Sequence, residues 1–92
     1  MTVKIDKLVW DEWNIQHVAR HNVVQSEVEE SLHNRFVVRP TYRERLLLIG
    51  KTNAGRLIST VVHEDNENIY YVITSRDASV SEIQDYEEET AA

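Results

Sequence analysis

The sequence predicts an α+β fold: an N-terminal strand and two helices, then an antiparallel meander of three or four strands, then a C-terminal helix. Two observations carry that prediction. Helix-start signals stand at Asp11, at Ser26-x-x-Glu29 and at Ser79-x-x-Glu82, each followed by apolar residues at helical spacing. Between the second and third signals lie β-branched and aromatic runs joined by turns of only a few polar residues. Parallel pairing needs a long crossover, so strands joined this way must run antiparallel.

The elements follow in order. Val3–Val9 alternates loosely and reads as a first strand. Asp11 caps a helix over residues 12–22, with Trp10, Trp13, Ile15 and Val18 as packing bulk and Asn22 as the stop. Asn14, His17 and His21 fall at i, i+3 and i+7 and are expected to share a helical face. Ser26 and Glu29 open a second helix over residues 26–34, with Val28 and Leu32 as its apolar side. The period then changes. Phe36, Val37 and Val38 form a short strand ended by Pro40, and Arg45–Lys51 reads as a buried strand. Thr52–Gly55 is a hairpin turn in which Gly55 is free to take a positive φ. Leu57–His63 is the return strand, Glu64–Asn68 a polar turn, and Ile69–Thr74 the next strand, with Arg76 just past its end. The last helix runs over about residues 80–88. Alternation puts Arg45 and Lys51 on one side of their strand, and Arg76 on the side of Val72 and Thr74.

Length and composition set limits. Ninety-two residues suit one domain with a modest core, residues 1–92. There is no cysteine, which excludes disulfides and thiolate metal sites. No apolar run is long enough to span a membrane, and the N-terminus lacks the plan of a signal peptide, so the expectation is a cytoplasmic protein with no membrane partner. The charge layout is uneven. Arg35, Arg39, Arg43, Arg45, Lys51 and Arg56 face only Glu44 within residues 35–56, whereas Glu82, Asp85, Glu87, Glu88 and Glu89 end the chain without a cation. A basic middle reads either as a phosphate-facing surface or as ordinary solvated strand positions.

Phosphate loops, dinucleotide-binding glycine patterns and nucleophile elbows are absent from the sequence. His17 and His21 have metal-compatible spacing, but the HExxH context is missing and no metal site is expected. His17 reads as a structural hydrogen-bonder to the sheet or as a group for binding or proton transfer. Arg76 reads as an ion-pair partner of Asp77 or Glu82, or as a phosphate ligand. Glu82 reads as a capping residue, and Tyr86 as packed on the sheet with its hydroxyl exposed.

Taken together, WDEWNIQHVARHNV, EVEE, RLLLIGKTNAGRLISTVV and YYVITSRDASVSEIQDYEE resemble, in that order, the BrnT toxins of bacterial toxin–antitoxin pairs. The likeness covers residues 10–87. It implies a RelE-like fold and a cytoplasmic endoribonuclease that blocks translation, working without metal or cofactor. It also implies a ribbon-helix-helix antitoxin as partner, through which alone the pair would meet operator DNA. By position, His17, Arg20 and His21 match the first helix motif. Arg45, Lys51 and Arg56 match the basic strand positions, and Arg76, Ser79, Glu82 and Tyr86 the closing motif. The expected division has His17, Lys51, Arg76 and Glu82 catalytic, with Arg45 also on the scissile phosphate and His17 or Glu82 taking the proton. Arg20, His21, Arg45, Arg56, Ser79 and Tyr86 would contact RNA. The chain departs from the pattern at Asn22 (usually glycine), at Tyr71 (usually arginine), and at Val80, Ser81, Ile83, Gln84 and Asp85, where the family is basic. These departures support a second reading, a binding module that keeps the antitoxin surface and has lost cleavage. With no family input, a third remains: a small α+β interaction domain.

Overall fold

The computed structural model describes residues 2–91 and has the predicted class. The elements are β1 (Lys7–Val9), α1 (Glu12–Ala19), α2 (Gln25–His33), β2 (Phe36–Pro40), β3 (Leu46–Lys51), β4 (Leu57–Asn66), β5 (Ile69–Asp77) and α3 (Val80–Thr90). They form one five-stranded sheet in the order β1-β5-β4-β3-β2. Strands β2 to β5 are the antiparallel meander, and β1 joins its far edge parallel to β5. Among the described residues, no helix is long and apolar enough to cross a membrane.

Helix α1 starts where Asp11 predicts. The Asp11 carboxylate accepts the Asn14 N–H at 2.9 Å, and the Asn14 side-chain oxygen accepts the Asp11 N–H at 2.8 Å. The helix ends three residues short of the expected boundary, and Asn22 turns the chain with a left-handed φ of 59°. Helix α2 starts at Gln25. Its cap is Val24, whose N–H is held by Glu27, and Ser26 and Glu29 do not form the predicted box. Glu29 instead accepts from the Trp10 indole at 3.1 Å. Trp13 and Ile15 are not core bulk: they are 57% and 39% exposed.

The main core lies between α1, α2 and one face of the sheet, with Val18, Val28, Leu48, Ile58, Val62 and Val72 fully buried. Gly50 lets α2 approach β3, for a Cβ there would overlap the Ser31 carbonyl oxygen. The opposite face is not open, because α3 packs on β2 and β3 there. The register assigns Val37 and Arg39, Ile49 and Lys51, Ser59 and Val61, and Thr74 and Arg76 to that second face. A bulge between Val61 and Val62 leaves Ile73 as an extra residue in β5 and flips the alternation. Val72 is therefore in the core while Arg76 points the other way, contrary to the shared side expected for them. Strand β5 also runs through Arg76 to Asp77. At its other end, the polar turn shrinks to two residues, with Asn68 left-handed at 62°.

The parallel β1–β5 pair is clipped by Asn14. Its side-chain amide donates to the Val9 and Val72 carbonyls, both at 3.0 Å, and the residue is 0% exposed. Asn14 thus plays the sheet-bonding role proposed for His17. Replacing Asn14 by alanine removes its bonds to two carbonyls and one N–H from a buried site, so the expected loss is about 3 kcal/mol. Urea denaturation measures it, and a loss under about 1 kcal/mol would remove the clip from this account.

Candidate functional site

The second sheet face carries the polar constellation, centred on Glu82. This residue is the third of α3, and Ser79 caps the helix: its hydroxyl accepts the Glu82 N–H at 3.3 Å, and its own N–H reaches Glu82 Oε1 at 2.8 Å. Arg76 holds both carboxylate oxygens, from Nη1 at 2.8 Å and Nη2 at 3.0 Å. The hydroxyl of Ser59, 1% exposed, donates to Oε1 at 2.8 Å. Four donor groups thus converge on one carboxylate. Arg76 chiefly, then Ser79 and Ser59, hold its pKa at about 2 against the opposing effect of burial. The same hydrogen bond raises Arg76 above its ordinary value. A carboxylate so held is a weak base and a strong anchor.

Lys51 joins this face one same-side step along β3 from Ile49, which faces Ser59 across the ladder. Its ammonium lies 5.8 Å from the centre of the Tyr86 ring. Lys51, Arg76, Ser79, Glu82 and Tyr86 therefore share one end of the face. Arg45 does not join them. It precedes β3 at the far end, about 20 Å along the strand from Lys51 at 3.3 Å per residue. It stacks over Tyr42 at 5.3 Å.

Arg56 is engaged on three sides. It donates to Asp77 at 2.8 Å, to the Asn22 carbonyl at 2.7 Å and to Glu27 at 3.1 Å. Asp77 first, then Glu27, raise its pKa above the ordinary arginine value. The residue ties the α1–α2 turn to the start of β4 and the end of β5.

His17 lies on α1, which packs on the other face of the sheet, and Arg20 and His21 lie in the turn that follows it. His17 stacks on Trp13 with ring centres 4.7 Å apart and meets His21 edge-on at 5.9 Å. Asn14 does not share their exposed face; it points into the sheet. Among the described residues, no hydrogen bond or ion pair links this stack to Lys51, Arg76 or Glu82. Sequence reasoning missed Ser59, whose alternation with the apolar core residues Ile58 and Val62 was the available signal. Tyr71, where the resemblance leads one to expect arginine, donates to the Asp11 carboxylate at 3.0 Å; burial first, then Asp11, raise its pKa.

A crystal structure at 1.1 Å resolution of the ribonuclease toxin BrnT from Brucella abortus is similar to this chain. The TM-score is 0.64, the identity is 30%, and the match covers 79% of this chain and 96% of that one. No protein-family model matches the chain. No curated protein matches it either.

The Glu82 site has a signature in acid. Its folded pKa of about 2 lies below the ordinary 4.5, so its stabilisation is full above about pH 4.5 and is lost as pH falls towards 2. Since Arg76 is half exposed, the contribution is about 2 kcal/mol, less than the full linkage value. Glu82→Gln is expected to lower stability at pH 7 by that amount and to flatten its decline between pH 4.5 and 2. An unchanged acid limb in urea titrations would contradict it.

Proposed function

The chain belongs to the BrnT family, and from that premise we propose that it is the toxin of a type II toxin–antitoxin pair. In this reading it is a cytoplasmic endoribonuclease that cuts RNA, and translation stops because its messages are cut. Its antidote is a cognate antitoxin with a ribbon-helix-helix domain, and operator DNA is met only through that partner. The observation that carries the reading is the grouping of Lys51, Arg76, Ser79 and Tyr86 on one sheet face, in the company expected of a phosphodiester site.

The chemistry is attack of a ribose 2′-oxygen on the adjacent phosphorus, with expulsion of the 5′-oxygen. The step needs an acceptor for the 2′ proton, cations for the phosphorane oxygens and a proton for the leaving oxygen. Lys51 and Arg76 supply the cations, and Tyr86 orders the Lys51 ammonium. Glu82 sets the plane of the Arg76 guanidinium, and its low basicity assigns it positioning instead of proton transfer. His17, Arg20 and His21 lie across the sheet from this face, out of hydrogen-bond reach of a phosphodiester held there, so water takes the 2′ proton and returns one to the leaving oxygen in this proposal. Arg45, farther along the sheet, takes a flanking phosphate. No metal or cofactor is assigned a step.

One observation favours the second reading, a family member with weakened cleavage that still binds its partner. Both terminal nitrogens of Arg76 are engaged by Glu82. Incubating purified protein with single-stranded RNA, with and without the partner, separates the two. The expected result is cleavage, suppressed by the partner, with Lys51→Ala and Arg76→Ala each slowing it about 100-fold or more. If the parent protein leaves RNA intact, the binding-module reading replaces this one. If both variants cut as fast as the parent, the assigned cations are wrong.

A further inference from the structure

The inward side of α3 and the sheet face beneath it are oppositely charged and in register. Glu82, Asp85, Tyr86 and Glu89 fall at i, i+3, i+4 and i+7, so they form one stripe along the helix. Beneath that stripe, Glu82 pairs with Arg76 on β5 at 2.8 Å. Farther along, Asp85 and Glu89 pair with Arg39 on β2 at 3.7 and 2.8 Å. Arg35 donates to the Glu89 carbonyl at 3.1 Å. Lys51, on β3 between them, faces the Tyr86 ring. The helix therefore crosses the sheet from β5 to β2 with its carboxylates on the arginines. Glu87 and Glu88 are exposed, and no ion pair involves them among the described residues.

Two further observations concern how firmly α3 is held. None of its residues is fully buried, and Ile83 and Tyr86 are only partly covered. Its last turn carries acids and no cation, which opposes the helix dipole. The position of Glu89 is thus unfavourable for the helix alone and is explained by Arg39 below it. Partly exposed ion pairs contribute at most about 1 kcal/mol each and weaken with salt. A strand of phosphates, each bearing a full charge at close spacing, can compete with them.

We propose that Arg35, Arg39 and Lys51 form a binding stripe for the RNA phosphate backbone leading up to Arg76, and that the last turns of α3, through Asp85 and Glu89, occupy this stripe as an internal anion which RNA must displace, while Glu82 stays on Arg76. The inference rests on the RNA reading above and adds Arg35 and Arg39 to the surface. It makes the acidic helix a self-inhibitory cover: the departure from a basic closing helix lowers resting affinity instead of abolishing the site. The covered arginines remain on the sheet.

The test compares two double substitutions that change net charge equally, Asp85→Asn with Glu89→Gln and Glu87→Gln with Glu88→Gln. Fluorescence anisotropy follows binding of a 2′-O-methyl single-stranded oligonucleotide, which cannot be cut by 2′-oxygen attack, and of inorganic polyphosphate. The inward pair is expected to bind both polyanions about tenfold more tightly than the outward pair, with a salt slope steeper by about 0.7 for the arginine released. Arg39→Ala added to the inward pair should cancel the gain. Glu89→Gln alone, the milder change for the helix, should give a smaller gain in the same direction, and circular dichroism checks that α3 persists. Equal affinities for the inward and outward pairs overturn the cover, because net charge then explains everything. Binding of neither polyanion by any variant overturns it too. The inward gain with polyphosphate but no oligonucleotide binding supports the cover and overturns the RNA reading on which its ligand was named.

Discussion

The Glu82 carboxylate is the point where sheet, turn and final helix meet. It accepts from Ser59 on β4, Arg76 on β5 and the Ser79 backbone at the start of α3. Each donor comes from a segment that could otherwise move separately. Desolvating a carboxylate is unfavourable unless donors replace the lost water, and here four groups do so. The contact exists only because a bulge in β5 turns Arg76 away from the core side occupied by Val72. One extra residue in a strand thus decides whether the last helix has an ionic anchor on the second face.

That anchor organises a division of labour between the faces. Beneath α1 and α2 the sheet is apolar and closely packed, with Gly50 admitting the α2 backbone and Asn14 joining the parallel edge strand. Beneath α3 it is mixed, with hydroxyls and cations set beside the buried Val37, Ile49 and Val61. The proposed function uses the second face because its polar groups are not all needed for folding. Arg56 shows the contrast: as basic as its neighbours in sequence, it is spent on Asp77, Glu27 and the Asn22 carbonyl.

Much of this was legible from the residues alone. Asp11 and Ser79 announce their helices because capping is local chemistry, complete within four residues. The β3–β4 hairpin was legible because Gly55 supplies the positive φ of 93° its turn requires. What escaped detection was non-local. Residues 7–9 pair with a strand some sixty positions later, and nothing in their own pattern indicates parallel pairing. Glu29 looked like a capping residue, yet Trp10 claims its carboxylate. The site divided along the same line. The resemblance drew His17, Arg45, Lys51 and Arg76 into one set; the register separates Arg45 along the sheet and puts His17 on the opposite side of it. Ser59 and the pairing of Arg39 with α3 depend on strand order and helix placement, which only the folded chain supplies.

The central claim is that RNA engages the face covered by α3. Mapping backbone and side-chain NMR shifts while titrating a 2′-O-methyl RNA oligonucleotide tests it most directly. The expected result is that the largest changes fall at Arg39, Lys51 and Arg76, together with faster amide exchange in the last turns of α3 as Asp85 and Glu89 lose Arg39. Changes confined to Trp13, His17 and His21, or to the groove between α1 and α2 lined by Ile15 and Val24, with α3 undisturbed, would contradict it.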